Sequence, residues 1–452
     1  MRRLPRTQHF FALSSLLLAA LAGTARAEDA TAAAQPEDWS VHGQATYIWQ
    51  TKPAFSAAYS GENSLSPSKE KSYSFTSTLF LGRRLGPDTE LYFNPELVQG
   101  VPMSNLTGLG GPPNSELQKT AGAHPTVYRA RLFVRHTWGL GGEREAVAGE
   151  ANQLAGWQDK RRLVLTAGNF AASDVFDGNG QAHDGRTQFM NWALMTHGAW
   201  DYAADARGYS WGATLEYYHD DWALRAGRFM VPREPNGLPL DHAIFRHYGD
   251  QVELERGYTL GGQPGRWRVL AFRNVAVMGR FQDAIDGSRQ NQAAPSMDAV
   301  RALHSKVGWG LSVEQAVAPE VGLFARWSRN DGRSEVYAFA EIDQAFSAGA
   351  TLNGALWGRA NDALGMAYAR NGLSSVHREY LALGGYGFFV GDGRLDHYRP
   401  EQIFETYYRF GLPPVRGVDS AFSLGWQHIR NPGYNADRGP VNVYTARFHA
   451  EF

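Results

Sequence analysis

The last twelve residues, "VNVYTARFHAEF" (441–452), alternate strictly in character. Tyr444, Ala446, Phe448, Ala450 and Phe452 fall on one side of a period of two, and Thr445, Arg447, His449 and Glu451 on the other. Such a pattern belongs to a strand lying between an apolar and a wet environment. A tail frayed into water would have no reason to keep an aromatic in phase at its final residue. One face is therefore covered by apolar matter, and the rest of the sequence must say whether that is a protein core or a lipid bilayer.

The N-terminus points to export. Arg2, Arg3 and Arg6 form a positive region, "FFALSSLLLAALAG" (10–23) an apolar one, and Ala25-Arg26-Ala27 a small-residue cleavage site. Residues 1–27 read as a signal peptide, with 28–38 ("EDATAAAQPED") a short periplasmic tail and 39–452 one unit without an internal linker. The apolar run is too short for a spanning helix, and no later run approaches the roughly 20 residues one needs. With 0 cysteines, an exported chain has no disulfide framework to stabilise it. A mean hydropathy of −0.40 is too polar for a helical membrane protein, whereas 13% aromatics and 50 glycines suit many strands and turns. The net charge of −1 argues against a nucleic-acid partner. Lysine occurs only at 52, 69, 71, 119, 160 and 306, so most cations are arginines, whose planar fork holds carboxylates and hydroxyls in a set geometry.

Alternating segments of about ten residues recur, the length of a tilted membrane strand. They place strands near 39–51, 73–85, 89–100, 126–140, 161–171, 208–218, 222–230, 249–260, 265–276, 307–318, 321–331, 346–357, 363–372, 402–412, 418–430 and 442–452. Tight turns such as "GPD" (86–88) and "HDD" (219–221) interleave with long loops such as 101–125 and 172–207. Bacterial outer-membrane barrels are built this way, with short periplasmic turns and long outer loops. The fold expected is all-β, a 16-stranded antiparallel transmembrane β-barrel, with eighteen strands as the alternative count. The connection 141–160 is long and polar on the short-turn side and breaks the rule. A soluble β-sandwich would share the alternation, but with shorter strands and a division into domains. Aromatics expected near strand ends (Trp39, Trp49, Tyr92, Trp138, Trp222, Trp357) favour lipid.

The stretches "ELYFNPELVQGVPMSNLTGLGG" (90–111), "YRARLFVRHTWGLGGE" (128–143), "RTQFMNWALMTHGAWDYAADARGYSWGATLEYY" (186–218), "PREPNGLPLD" (232–241) and "DRGPVNVYTARFHAEF" (437–452) resemble the OprB-type carbohydrate-selective porins of Gram-negative outer membranes. The resemblance implies a sixteen-stranded barrel in the outer membrane, passive diffusion of sugars, and a constriction lined by charged and aromatic side chains. Some relatives carry a surface-layer or coiled-coil module, for which 28–38 leaves no room before the first strand. The terminal strand ending in Phe452 is similar to the signal by which barrel-assembly machinery recognises its clients. Lipid and lipopolysaccharide are the expected surroundings, and the barrel is expected as a monomer or homotrimer.

A wet lumen needs polar inward residues. The wet faces of the strands supply Asn94, Glu96, Arg129, Arg131, Arg135, Glu253, Arg326 and Arg409, and an inward-folded loop around 186–195 supplies Asn191 and Trp192. Both signs of charge are present, which suits a neutral, hydroxyl-rich solute better than an ion. For any one residue the plainer reading is that luminal Arg and Glu pair and stiffen the wall. No catalytic motif, cofactor site or metal site is expected. "DVFDGNGQAHDG" (174–185) lacks the Glu a calcium loop needs, having Gln188 there. Glu253 and Glu255, about 7 Å apart on one strand face, have a glycosidase-like spacing that the repetition of polar luminal residues explains more simply. Two other classes remain: an export channel for a charged polysaccharide, which requires an electropositive lumen, and an enzyme on a barrel scaffold.

Overall fold

The computed structural model describes residues 35–117, 122–339 and 341–452; the expected signal peptide, its expected cleavage site and most of the expected tail lie outside them. Strands β1 (Trp39–Lys52), β2 (Glu70–Gly86), β3 (Thr89–Val101) and β4 (Thr126–Gly139) come first, then a small hairpin of β5 (Arg144–Val147) and β6 (Gly156–Asp159). The chain continues through β7 (Arg162–Phe170), β8 (Ser210–His219), β9 (Trp222–Phe229), β10 (Tyr248–Leu260), β11 (Gln263–Met278) and β12 (Ala302–Ala318). It finishes with β13 (Val321–Asn330), β14 (Gln344–Asn353), β15 (Ala363–Gly372), β16 (Glu401–Val415), β17 (Val418–Arg430) and β18 (Val441–Glu451). All but β5 and β6 form one closed antiparallel barrel of sixteen strands, each paired with its neighbour in sequence.

The terminal strand completes the ring. β18 pairs with β1 with Phe448 opposite Tyr47 and Ala446 opposite Trp49. Phe452 extends that seam: its N–H and C=O exchange hydrogen bonds of 3.0 and 3.1 Å with Gly43. Its ring lies over Gly43, where a Cβ would come within 2.5 Å of it. Closure leaves no free edge to bind another chain.

The alternation runs opposite to that of a soluble barrel. Tyr47, Trp49, Leu215, Trp327 and Phe448 are exposed outside, while Gln44, Thr46, Gln50, Glu253 and Arg447 are buried inside. A wall that is apolar outward and polar inward needs lipid outside and water or polar loops inside. Among the described residues, no helix is long and apolar enough to cross a membrane.

The structure differs from the sequence expectation in several places. Ala130 is an extra residue in β4, because Asn94 pairs with Arg131 and Pro95 with Arg129. The bulge reverses the parity of the strand, so Tyr128 joins Arg131 on the luminal side and Arg129 turns outward. Asn169 holds the bulge by donating a 2.7 Å hydrogen bond to the Ala130 carbonyl. Tyr92, expected among the membrane-edge aromatics, is luminal and fully buried, stacked on Phe133 at 5.0 Å. The strand expected to reach 357 stops at Asn353, whose side chain caps a short turn, Gly354–Trp357. Connection 141–160 is also ordered: in the loop between β5 and β6, the Asn152 carbonyl accepts a hydrogen bond from Arg135, and the Leu154 N–H donates to Tyr92 Oη at 3.1 Å. It folds against the barrel's short-turn mouth.

The long loops converge at the other end. Helices Phe281–Asn291 and Ser375–Ala382 bury Phe281, Ile285, Tyr380 and Leu381 in one cluster with Met297 and Phe389.

Candidate functional site: the luminal constriction

Between β7 and β8 the chain turns into the barrel, and charged residues of the wall seize its backbone. On β13, Arg326 donates to Asp177 at 2.9 Å, to the Leu194 carbonyl at 2.9 Å and to the Ala182 carbonyl at 2.6 Å. On β16, Glu405 accepts the N–H groups of Met190 at 2.8 Å and Asn191 at 2.9 Å. On β18, Arg447 donates to the carbonyls of Gly185 and Gln188, both at 2.8 Å. On β10, Glu253 accepts the Asp177 N–H at 2.8 Å while paired with Arg225 at 2.9 Å. A loop inside a barrel cannot satisfy its backbone with a sheet ladder, so guanidinium and carboxyl groups spaced round the wall do so instead.

A second loop locks the first. Gly110 and Gly111 donate to Glu401 on β16, and Asn191 Nδ2 bridges the Gly111 carbonyl and Gln427 Oε1, both at 3.0 Å. Asn191 also caps the helical turn Trp192–Met195 by accepting the Ala193 N–H. This turn carries Trp192 to the edge of a cavity of about 300 Å³, lined also by Glu96, Glu116, Arg131, Asp174 and Arg186.

The polar side of the cavity is a set of matched charges. Arg131 forks onto Asp174 at 2.7 and 2.6 Å. Arg186 spans two carboxylates, Glu116 at 2.7 Å and Glu96 at 3.1 Å. Glu96 also accepts Thr78 at 2.6 Å, Tyr209 at 3.4 Å and a short bond from Tyr128. Burial opposes the charge on Arg186, yet Glu116, Glu96 and Asp184 hold its guanidinium well above its ordinary value. Burial likewise works against the Asp184 carboxylate, which Arg186 keeps below the usual range. The apolar side is a tier of rings. Trp192 stacks on Phe339 at 5.1 Å, Phe339 on Tyr202 at 4.8 Å, and Tyr202 tilts against Trp200 at 4.8 Å. Oriented donors and acceptors thus face a run of aromatic surface across one narrow space.

Of the residues expected to line the pore, Glu96, Arg131 and Trp192 border this cavity. Arg326, Glu253 and Asn191 are instead buried anchors of the loop. Asn94 is buried on β3 directly opposite Arg131. Arg135 sits at the short-turn mouth against Asn152, and Arg409 lies by the turn at Asn361, whose carbonyl it reaches at 3.1 Å. Arg129 leaves the lumen altogether: its partner Pro95 points outward, and its guanidinium covers the Trp211 ring at 5.0 Å. Glu253 and Glu255 share Arg225, at 2.9 and 3.1 Å. Both carboxylates are therefore committed to an ion pair. The sequence reading missed Glu116, Asp174, Arg186, Tyr202, Tyr209 and Phe339. Arg186 opens the quoted "RTQFMNWALM" segment, but nothing in strand periodicity predicts the direction of a loop side chain.

The sequence matches the family described as carbohydrate-selective porin, OprB family, over residues 62–452. Among solved structures, a high-pH structure of Pseudomonas putida OprB is similar with a TM-score of 0.69 at 16% identity, covering 92% of this chain and 94% of that chain. OccK8 (OprE) of Pseudomonas aeruginosa is less similar, with a TM-score of 0.45 at 10% identity over 92% of this chain and 98% of that chain. At 16% identity the likeness to the Pseudomonas putida structure is one of fold. No curated protein matches the sequence.

Proposed function

Because the chain belongs to the OprB family of carbohydrate-selective porins of the outer membrane, we propose that it passes neutral mono- or small oligosaccharides by diffusion through the constriction at Arg131, Arg186 and Trp192. The observation that carries this reading is the pairing of neutralised charges with stacked rings around one cavity of about 300 Å³. That volume lies at the small end of ligand pockets, roughly 300–1,000 Å³. A sugar entering it exchanges hydration for the Arg–carboxylate pairs, which supply both donors and acceptors, and lays its C–H faces on Trp192, Phe339 and Tyr202. Since each constriction arginine is already paired, the field is cancelled, and a hydroxyl-rich solute gains more there than an ion. Binding of this kind is weak enough for release, as conduction requires.

Planar-bilayer recording tests the reading. Glucose or a disaccharide added on one side should lower and modulate the conductance, with little discrimination between potassium and chloride. Strong anion selectivity with block by phosphate or a charged oligosaccharide, and none by neutral sugars, would overturn it in favour of an export channel for acidic polymers. Chemical conversion of the added sugar would indicate an enzyme.

A further inference from the structure

The outer wall carries a one-sided row of cations that the transport reading does not use. Arg273 on β11, Arg329 on β13, Arg370 on β15 and Arg430 on β17 are all exposed, and no side chain among these four has an ion pair or hydrogen bond to the described residues. Their register places them outside. Arg273 lies between Val307 and Asp250, Arg329 opposite Trp309, and Arg370 opposite Phe346, all on the lipid-facing parity. Arg370 and Arg430 flank the same residue, Gln402, from either side.

All four sit toward the long-loop end of their strands, which end at Met278, Asn330, Gly372 and Arg430. One rung inward come Trp327 and Tyr368, two residues before Arg329 and Arg370 and about 7 Å nearer the bilayer centre. The short-turn half of the same strands is apolar outside: Trp267, Val269, Leu323, Leu364 and Leu424. The order along the wall is thus aliphatic, aromatic, arginine. Arg129 on β4 and Lys71 on β2, both exposed, extend the row round the barrel. Composition does not explain it, because the chain has 44 cations against 45 carboxylates. The acids have gone inward, to Glu253, Glu255, Glu314, Glu401 and Glu405, and the outward Asp250 is already held by Arg228 at 2.7 Å.

We infer that this arginine row binds the phosphorylated headgroup of an acylated glycolipid in the outer leaflet, with the acyl chains lying on the apolar wall below. A guanidinium matches a phosphate with two parallel hydrogen bonds and is less strongly hydrated than an ammonium. Arg370 and Arg430 are two strands apart, roughly 10 Å, so a headgroup with two phosphates reaches both. The inference rests on the outer-membrane placement but not on which solute passes the lumen.

The test uses the full mature protein in detergent, with binding measured to bisphosphorylated lipid A and to the same lipid with its phosphates removed. The wild type should bind the phosphorylated form at least tenfold more tightly, with affinity falling as salt rises. Arg273→Gln, Arg329→Gln, Arg370→Gln and Arg430→Gln together should abolish that preference, about fivefold being lost per arginine near an anionic surface. A control at the short-turn rim, Arg83→Gln with Arg256→Gln, should keep it. Single variants repeat the measurement if the quadruple variant does not fold. Equal binding of both lipids, an unchanged preference in the quadruple variant, or loss accompanied by a smaller particle in detergent, which would assign the row to contact between copies, each overturns the inference. Conductance recorded on the same samples keeps failure here separate from failure of the transport reading.

Discussion

Replacing Arg326 by Met removes a three-bond attachment of the luminal loop without touching the sheet ladder. In the wild type the Arg326 side chain is 1% exposed, and its guanidinium satisfies Asp177 and two loop carbonyls at 2.6–2.9 Å. Burial alone pushes the Asp177 carboxyl up, yet Arg326, with His197 and His183, holds it at about 2. Without Arg326, Asp177 is left buried without its guanidinium partner, keeping the Thr196 hydroxyl and the His197 N–H as donors at 3.0 Å and the His197 ring 3.6 Å away. Breaking a buried pair from one side costs about 3–5 kcal/mol. That shifts the balance between seated and released loop by roughly two to four orders of magnitude. The barrel itself persists, since sixteen paired strands do not depend on this residue. The expected record in a planar bilayer is a larger, noisier conductance with weakened sugar block, from a protein whose thermal unfolding in detergent still shows the barrel transition. Arg326→Met combined with Asp177→Asn should recover part of the wild-type behaviour, because no charge is then stranded. A single variant with unchanged conductance and sugar block would refute the view that wall charges seat the loop.

Acid should loosen the same loop through His197. Burial, reinforced by Arg326 and Arg268 and opposed by Asp177, depresses its imidazole to about 4. A released loop takes up a proton near pH 6.5 that the seated loop refuses until about 4. Attachment is therefore full above pH 6.5 and weakens by about 3 kcal/mol as pH falls to 4; single-channel noise against pH checks this, and His197→Asn should flatten the profile. His377, in the outer-loop helix, behaves oppositely. Burial disfavours its charge, but Asp343 at 3.0 Å and Glu341 at 3.4 Å outweigh that and raise it to about 9. Its contribution is full below pH 6.5 and lost as pH rises through 9, so proteolysis of the outer loops should accelerate above that pH, and less so in His377→Gln. Arg186→Gln leaves Glu96 and Glu116 without their shared cation and should turn a weakly selective pore cation-selective, read as a shifted reversal potential in a potassium chloride gradient. Trp192→Ala should weaken sugar block about three- to tenfold, the worth of one aromatic contact, with ion selectivity unchanged.

The sequence alone determined the wall. A strand has a period of two, so Phe448 and Leu424 outside, with Arg447 and Gln427 inside, follow from backbone geometry once lipid is on one side. Sixteen such segments, with tight and long connections alternating, leave little freedom in how they pair. The site was another matter, because it is made where segments distant in the chain meet. Arg186 touches Glu96 ninety positions away, and Trp192 faces Phe339, contacts whose geometry no periodicity encodes. Even within a strand, the single extra residue at Ala130 reversed the facing of Arg129, a choice made by pairing with Asn94 and Pro95 rather than by the alternation itself. The tertiary structure alone decided which luminal charges anchor the loop and which are left to meet a solute, since that depends on where an inward-folded backbone needs its hydrogen bonds met.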